Sequence, residues 1–334
     1  MKILITGASG FIGGFLVDEA LRKGWEVWAG VRKSSTKTYL THPELHFIDL
    51  NYANPEVLTQ QLEFHKANHG VWDYIIHNAG ITKSIVDADY DRINYHYTIH
   101  FVNALLGCGC KPRKFLFMSS MGAVGPGDEK SGVPLTLSDI PKPISEYGKS
   151  KLKAELYIQS LSDFPFVILR PTGVYGPRER DYFVMLKMIK AGFDISVGRK
   201  QQLLNFIYIK DLTRICYAAL ESPFVQKIWF VADGDIYTSK AFTELMKEIL
   251  EKKRLIPIRV PLSIVRMISS VSGYLSRLTR NPALLNPDKY QVIKQRNWTC
   301  DATQMELDLN VKAQYKLRKG LEETVNWYKE NGWL

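Results

Sequence analysis

Met1 to Phe15 read MKILITGASGFIGGF. Lys2 to Thr6 form the continuous apolar run of a buried strand, and GASGFIGG then turns the chain into a helix. Gly7, Gly10 and Gly13 stand at G-x-x-G-x-x-G spacing. The first two allow a tight turn and close backbone approach to a pyrophosphate, whose charge a helix N-terminus favours; the third lets helix pack closely on strand. Glycine spacing alone is weak evidence. The strand before it and a helix with Ile12, Phe15, Leu16 and Ala20 on one face make it specific for a dinucleotide held by Gly7, Gly10, Phe11, Ile12 and Gly13.

Glu26 to Val31 predict a second strand, ending in AGVRKSS. An acid at this place would bond the adenosine ribose and repel a 2′-phosphate. Arg32 and Lys33 stand there instead, and their cationic groups suit a phosphate, so the expected cofactor is NADP (NADPH), with NAD the weaker choice. The plain alternative is a pair of solvated loop cations. A third strand runs into Asp49 and Leu50, where a carboxylate can meet the adenine amino group. A fourth, WDYIIHNAG, ends in Asn78, Ala79 and Gly80, small enough to pass beneath a cofactor.

The fifth strand, KFLFMSS, ends at Ser119 and Ser120, and SEYGKSKLKAEL further on has helical pattern. Tyr147 and Lys151 are four apart and share a helix face. A phenol there can pass a proton to or from a substrate oxygen, a nearby ammonium lowers its pKa, and a serine hydroxyl fixes the oxygen. The spacing Y-x-x-x-K also occurs at Tyr290/Lys294 and Tyr315/Lys319, so it has no value alone. Only Tyr147 follows a Ser-bearing strand end and precedes another strand, FVILRP. That order puts it above the carboxyl ends of a parallel sheet.

In GASGFIGG, Asp49-Leu50, NAG, Ser120/Tyr147/Lys151, RPTGVYGP and GLEETVNWY, the sequence resembles an extended short-chain dehydrogenase/reductase over essentially its whole length. The resemblance implies an enzyme with Ser120, Tyr147 and Lys151 catalytic, Lys151 also bonding the nicotinamide ribose, and Pro171 to Val174 lining the nicotinamide. It implies an α/β fold: a Rossmann doubly wound parallel sheet with a smaller, mostly helical C-terminal substrate-binding domain. The expected division is 1–174 and 203–236 for dinucleotide binding, with 175–202 and 237–334 as the cap. Asn94 falls where such chains often have an Asn supporting the central helix, though a helix-cap role fits it equally. A homodimer is implied by analogy alone.

Departures from the family pattern separate its branches. Ser120-Met121-Gly122 lacks the acids of the sugar dehydratases. Gly173 replaces the Asn, and Leu204-Asn205 the Arg-Asp, with which sugar epimerases hold a substrate diphosphate. Arg178 and Arg180 remain as substitutes, so a nucleotide-sugar epimerase with tightly bound NAD stays the alternative. The pattern most resembles the 3β-hydroxysteroid dehydrogenase and dihydroflavonol reductase branch, which implies carbonyl/alcohol interconversion on a small cyclic or apolar substrate.

Composition agrees with this frame. The chain has 334 residues, 46% hydrophobic and 23% charged, as an ordinary enzyme has. Four cysteines give no disulfide framework, and Cys108-Gly-Cys110 lacks a second ligand cluster, so no metal is expected. The N-terminal run passes straight into a glycine turn, unlike a signal peptide, and the expected location is cytoplasmic. The net charge of +10 concentrates in 252–287, which has no acid but contains Lys252, Lys253, Arg254, Arg259, Arg266, Arg277 and Arg280. Within it Ile264, Ile268, Val271, Leu275 and Leu278 recur at helical spacing. The plain reading is a core-facing stripe on a cap helix; peripheral membrane contact is the other. Nucleic acid is not an expected partner, since no recognition module is visible.

Overall fold

A computed structural model describes residues 1–279, 283 and 285–334. The first half alternates strand and helix: β1 (Lys2–Thr6), α1 (Phe11–Arg22), β2 (Glu26–Gly30), β3 (His46–Ile48), α2 (Pro55–His69) and β4 (Tyr74–His77). There follow α3 (Ala88–Tyr90), a π-helical turn (Asp91–His96) continuing into α4 (Tyr97–Gly107), β5 (Lys114–Met118), α5 (Glu146–Gln159), β6 (Phe166–Pro171) and β7 (Gly173–Tyr175). The second half contains α6 (Asp181–Lys190), β8 (Phe193–Val197), β9 (Leu203–Leu204), β10 (Phe206–Tyr208), α7 (Ile209–Glu221), β11 (Lys227–Val231) and β12 (Tyr237–Thr238). It ends with α8 (Ser239–Ile249), β13 (Ile256–Val260), α9 (Leu262–Thr279), α10 (Pro287–Ile293), β14 (Asn297–Trp298), α11 (Thr303–Leu309) and α12 (Leu317–Glu330).

Seven parallel strands form the main sheet in the order β11-β6-β5-β4-β1-β2-β3. The central strands read as unbroken apolar runs because helices cover both faces; all of β5 and β6 is buried. One core packs Leu16 and Val17 of α1 with Leu212 and Ile215 of α7. The other packs Leu58 and Leu62 of α2 with Phe101 of α4 and Ile158 of α5. Strand order reverses at the β1/β4 boundary, so the loops leaving these two strands diverge and open a crevice at their carboxyl ends.

The segment 237–334 does not form a separate helical layer throughout. Trp229 of β11 donates to Asp308 of α11 at 2.8 Å, and Val325 and Tyr328 of α12 belong to the core shared with α1 and α7. The segment also carries strand structure: β13 pairs in parallel with β8, and β14 with β9. Among the described residues, no helix is long and apolar enough to cross a membrane.

The stripe on α9 corrects the core-facing reading. Ile264, Ile268, Val271, Leu275 and Leu278 are all exposed, while Val265, Ser269 and Ser276 are buried. The reason lies in Gly273, where a Cβ would come 2.9 Å from Pro287 Cδ: the small-residue face lets α10 approach closely, which turns the apolar face outward. Periodicity groups residues on a face without saying which way the face points.

Candidate active site

The loop after β1 and the end of β4 are held together by Thr6. Its Oγ1 accepts the Asn78 and Ala79 amides at 3.1 and 3.0 Å. Gly7 has φ +65°, and a Cβ there would stand 2.9 Å from the Asn78 carbonyl oxygen. At Gly13 a Cβ would lie 2.2 Å from the Gly7 oxygen, so α1 packs on its own entry turn. Gly10 precedes the first turn of α1 and has no capping side chain, which leaves the helix N-terminus to an incoming group. This cradle of bare backbone fits a dinucleotide pyrophosphate. After β2, Arg32 and Lys33 are exposed, and Asp49 accepts the Lys33 amide at 3.2 Å. Leu50 is buried, Gly80 is exposed, and Phe11 and Ile12 are half-buried.

Ser120 and Tyr147 meet across a gap closed by two glycines. A Cβ on Gly148 would fall 2.2 Å from the Gly122 carbonyl oxygen, so α5 presses directly on the turn after β5. Ser120 Oγ accepts the Gly122 amide at 3.0 Å, and a Cβ on Gly122 would lie 3.3 Å from that oxygen and 3.6 Å from Tyr147 Cε1, so the hydroxyl and the phenol ring flank one glycine. Burial raises the phenol pKa, and the neighbouring Ser120 hydroxyl opposes that rise. The sequence had suggested a phenol pKa lowered by Lys151. Instead the Lys151 ammonium donates to the Met118 carbonyl at 2.8 Å, and burial lowers its own pKa to about 8. Pro171 is buried at the end of β6, and Val174 is half-buried in β7.

Several supporting residues carried no signal in the sequence. Glu155, one turn beyond Lys151, is fully buried and paired with Arg170 at 2.6 Å; Ser119 Oγ also donates to it. Its charge favours the ammonium form of Lys151. Asn94 lies within the π-helical turn, which removes the helix-cap alternative. Its side chain accepts the Ile81 amide at 2.8 Å and donates to Ser150 Oγ of α5 at 3.0 Å, so it ties the loop after β4 to the Tyr-bearing helix. The proton positions on His77 follow by elimination. Thr6 Oγ1 accepts two amides and donates to Nδ1; Thr98 Oγ1 donates to the Asn94 carbonyl and accepts from Nε2–H. His77 is thus a neutral strut, with burial and Lys151 lowering its pKa to about 3.

Residues 3–232 match the model of the NAD dependent epimerase/dehydratase family. The chain belongs to that family. It is an NAD(P)-dependent enzyme of the extended short-chain dehydrogenase/reductase type. It is 24% identical to a ceramide reductase of Caulobacter vibrioides, over 99% of this chain and 96% of that protein. It is 32% identical to an uncharacterized UDP-glucose epimerase, YtcB, of Bacillus subtilis, over 67% of this chain and 73% of that one. The Bordetella bronchiseptica enzyme WbmG, solved in complex with NAD and UDP, shares the fold with a TM-score of 0.77 at 19% identity, covering 99% of this chain and 96% of that one.

Within this family the departures at Gly173 and Leu204-Asn205 have structural causes. A Cβ on Gly173 would meet the Tyr182 hydroxyl at 2.5 Å and Phe206 Cδ1 at 3.1 Å, so an aromatic wall fills the place of a polar side chain. Asn205 is committed elsewhere: its Oδ1 accepts the Cys300 amide at 2.7 Å and its Nδ2 donates to the Asp235 carbonyl after β11. Arg178 is no free substitute for a diphosphate ligand. It pairs with Asp18 of α1 at 3.2 Å and lies over the rings of Phe15 and Tyr39.

Proposed function

We propose that this enzyme interconverts a carbonyl and a secondary alcohol on an apolar substrate, using NADP(H). The observation that carries the reading is the aromatic wall of Tyr182 and Phe206 packed against Gly173, where the epimerase pattern has a polar side chain, with Arg178 held by Asp18 and only Arg180 left exposed as a diphosphate donor. Burying a diphosphate without such donors is costly. The full-length similarity to a ceramide reductase supports the same substrate class.

In this reading Gly7, Gly10, Phe11, Ile12, Gly13, Asp49, Leu50, Asn78, Ala79 and Gly80 hold the dinucleotide. Arg32 and Lys33 take its 2′-phosphate, and Pro171 and Val174 border the nicotinamide. When bound, the nicotinamide supplies or accepts the hydride. Ser120, oriented by the Gly122 amide, donates to the substrate oxygen. Tyr147, which burial keeps protonated at neutral pH, gives that oxygen its proton. The resulting phenolate is stabilised by the Ser120 hydroxyl, while the Lys151 ammonium bonds the nicotinamide ribose.

The test follows nicotinamide absorbance with long-chain ketones and nucleotide sugars, each with NADPH and NADH. Ketone turnover with NADPH is expected, with a loss of about 10²- to 10⁴-fold in Tyr147→Phe. Arg32→Ala is expected to weaken NADPH binding by about 10- to 100-fold and leave NADH unchanged. Equal affinity for the two cofactors in the unmutated enzyme removes the NADP assignment.

A second reading, a nucleotide-sugar epimerase with retained NAD, draws on the likeness to YtcB and on the NAD and UDP in WbmG. Denaturing the purified enzyme and identifying the released nucleotide separates the two. Stoichiometric NAD favours the epimerase.

A further inference from the structure

Helix α9 is inside out for a globular protein. Leu262, Val265, Ser269 and Ser276 point inward or are half-covered, a mostly small and polar set. Ile264, Met267, Ile268, Val271, Tyr274, Leu275 and Leu278 point to solvent and are 42–64% exposed. At about 100° per residue these seven side chains fall within an arc of about 120°, the width of an ordinary core-facing stripe. Isolated exposed apolar residues are common, whereas a whole stripe on one helix marks an interaction surface.

The charges around the stripe decide what it meets. Lys253, Arg254, Arg259, Arg266 and Arg277 are exposed, and no acid occurs between Glu251 and Asp288. Among the described residues these five cations take part in no ion pair. A second copy of this chain meeting the same face across a two-fold axis would set these cations against one another with no carboxylate to offset them. An anionic lipid surface offers both what the stripe needs and what the cations need: an apolar boundary below and phosphates above.

We propose that α9 lies in the surface of an anionic bilayer, with Ile264, Ile268, Val271 and Leu275 in the acyl boundary and Arg266 and Arg277 among the headgroups. The placement bears on the catalytic pocket. Helix α10 is the next described helix in the chain, and its Asp288 accepts the Glu146 amide at 2.6 Å, one residue before Tyr147. Ser84 and Asp87 from the loop after β4 line a crevice with Ser270, Gly273 and Asn286 of the α9–α10 unit. A docked α9 therefore brings this crevice, whose α10 wall also caps the start of the Tyr147-bearing helix through Asp288, to the bilayer. The docking surface itself stands without the substrate assignment.

The experiment is vesicle flotation of the purified full chain, without substrate or nucleotide. Vesicles are phosphatidylcholine alone, or phosphatidylcholine with about 30% phosphatidylglycerol. Binding to the anionic vesicles is expected, at least about tenfold weaker to the neutral ones and weakened by raising salt from about 0.1 to about 0.5 M. The double variant Val271→Glu/Leu275→Glu, at exposed positions away from the site, is expected to lose flotation while keeping its thermal midpoint and its turnover of a water-soluble ketone. No flotation of the unmutated chain overturns the proposal, as does undiminished flotation of the double variant. Self-association that the double variant abolishes, without vesicle binding, overturns it in favour of a second copy. None of these outcomes changes the absorbance assay, so the docking surface and the catalytic reading fail separately.

Discussion

Asp288 caps the helix that carries Tyr147: its carboxylate accepts the Glu146 amide at 2.6 Å from 142 residues away in the chain. Ser145 caps the same helix locally, accepting the Gly148 amide at 3.0 Å. The N-terminus of α5 thus draws one cap from its own turn and one from the C-terminal segment. An anion at this end also suits the helix dipole.

Asp288→Ala should therefore cost about 0.5–2 kcal/mol of stability, the usual worth of a cap, and lower kcat by freeing the start of α5. Chemical denaturation and steady-state kinetics measure the two effects. An unchanged kcat would show that the cap serves the fold alone.

Lys151 gives a pH prediction with a definite sign. Burial lowers its folded pKa to about 8 from the ordinary 10.5, so the ammonium is lost as pH rises through about 8. kcat/KM for reduction should fall above that pH in the free enzyme, and Lys151→Arg should shift the limb upward because the guanidinium stays charged. On stability the sign is opposite: the penalty for burying the charge is full below about pH 8 and relaxes towards 10.5. A pH–rate profile that keeps its limb near 8 in the Arg variant would assign the limb to another group.

Glu155→Gln leaves Arg170 buried without its counter-charge. Removing one partner of such a pair costs about 3–5 kcal/mol. Urea denaturation of the variant should show a loss of this size. Glu155→Leu combined with Arg170→Met should recover a large part of it, since no buried charge remains. A loss below about 1 kcal/mol in the single variant would mean that water reaches Arg170.

Gly173→Asn tests the aromatic wall. The new side chain must displace the Tyr182 hydroxyl, which lies 2.5 Å from where its Cβ would sit. Overpacking of this kind costs about 1–3 kcal/mol, and adding Tyr182→Ala should relieve it. Thermal unfolding of the single and double variants checks the coupling. Equal midpoints for Gly173→Asn and the parent protein would refute the close fit.

The central strands of the main sheet were readable from the sequence because a strand buried on both faces is a short apolar run bounded by turn residues. FVILRP and KFLFM are such runs. Tyr147 and Lys151 were readable because a helical spacing and a strand order bear on the same two residues. What stayed hidden depends on contacts distant in sequence. Nothing local to Asp288 says that it reaches Glu146, and nothing in Glu155 or Arg170 announces their pairing. The π-helical turn around Asn94 has no periodic signature of its own. In α9 the grouping of apolar residues was visible but its direction was not, because direction depends on what Gly273 allows α10 to do.

Where Gly148 backs onto the Gly122 oxygen, hydrogen stands in for a side chain, and even one methyl group there would wedge the phenol-bearing helix outward. The reach between proton donor and hydroxyl is thus governed by an atom the chain leaves out. Changes on the exposed face of that helix leave this contact alone, whereas enlargement at this one residue shifts the phenol itself.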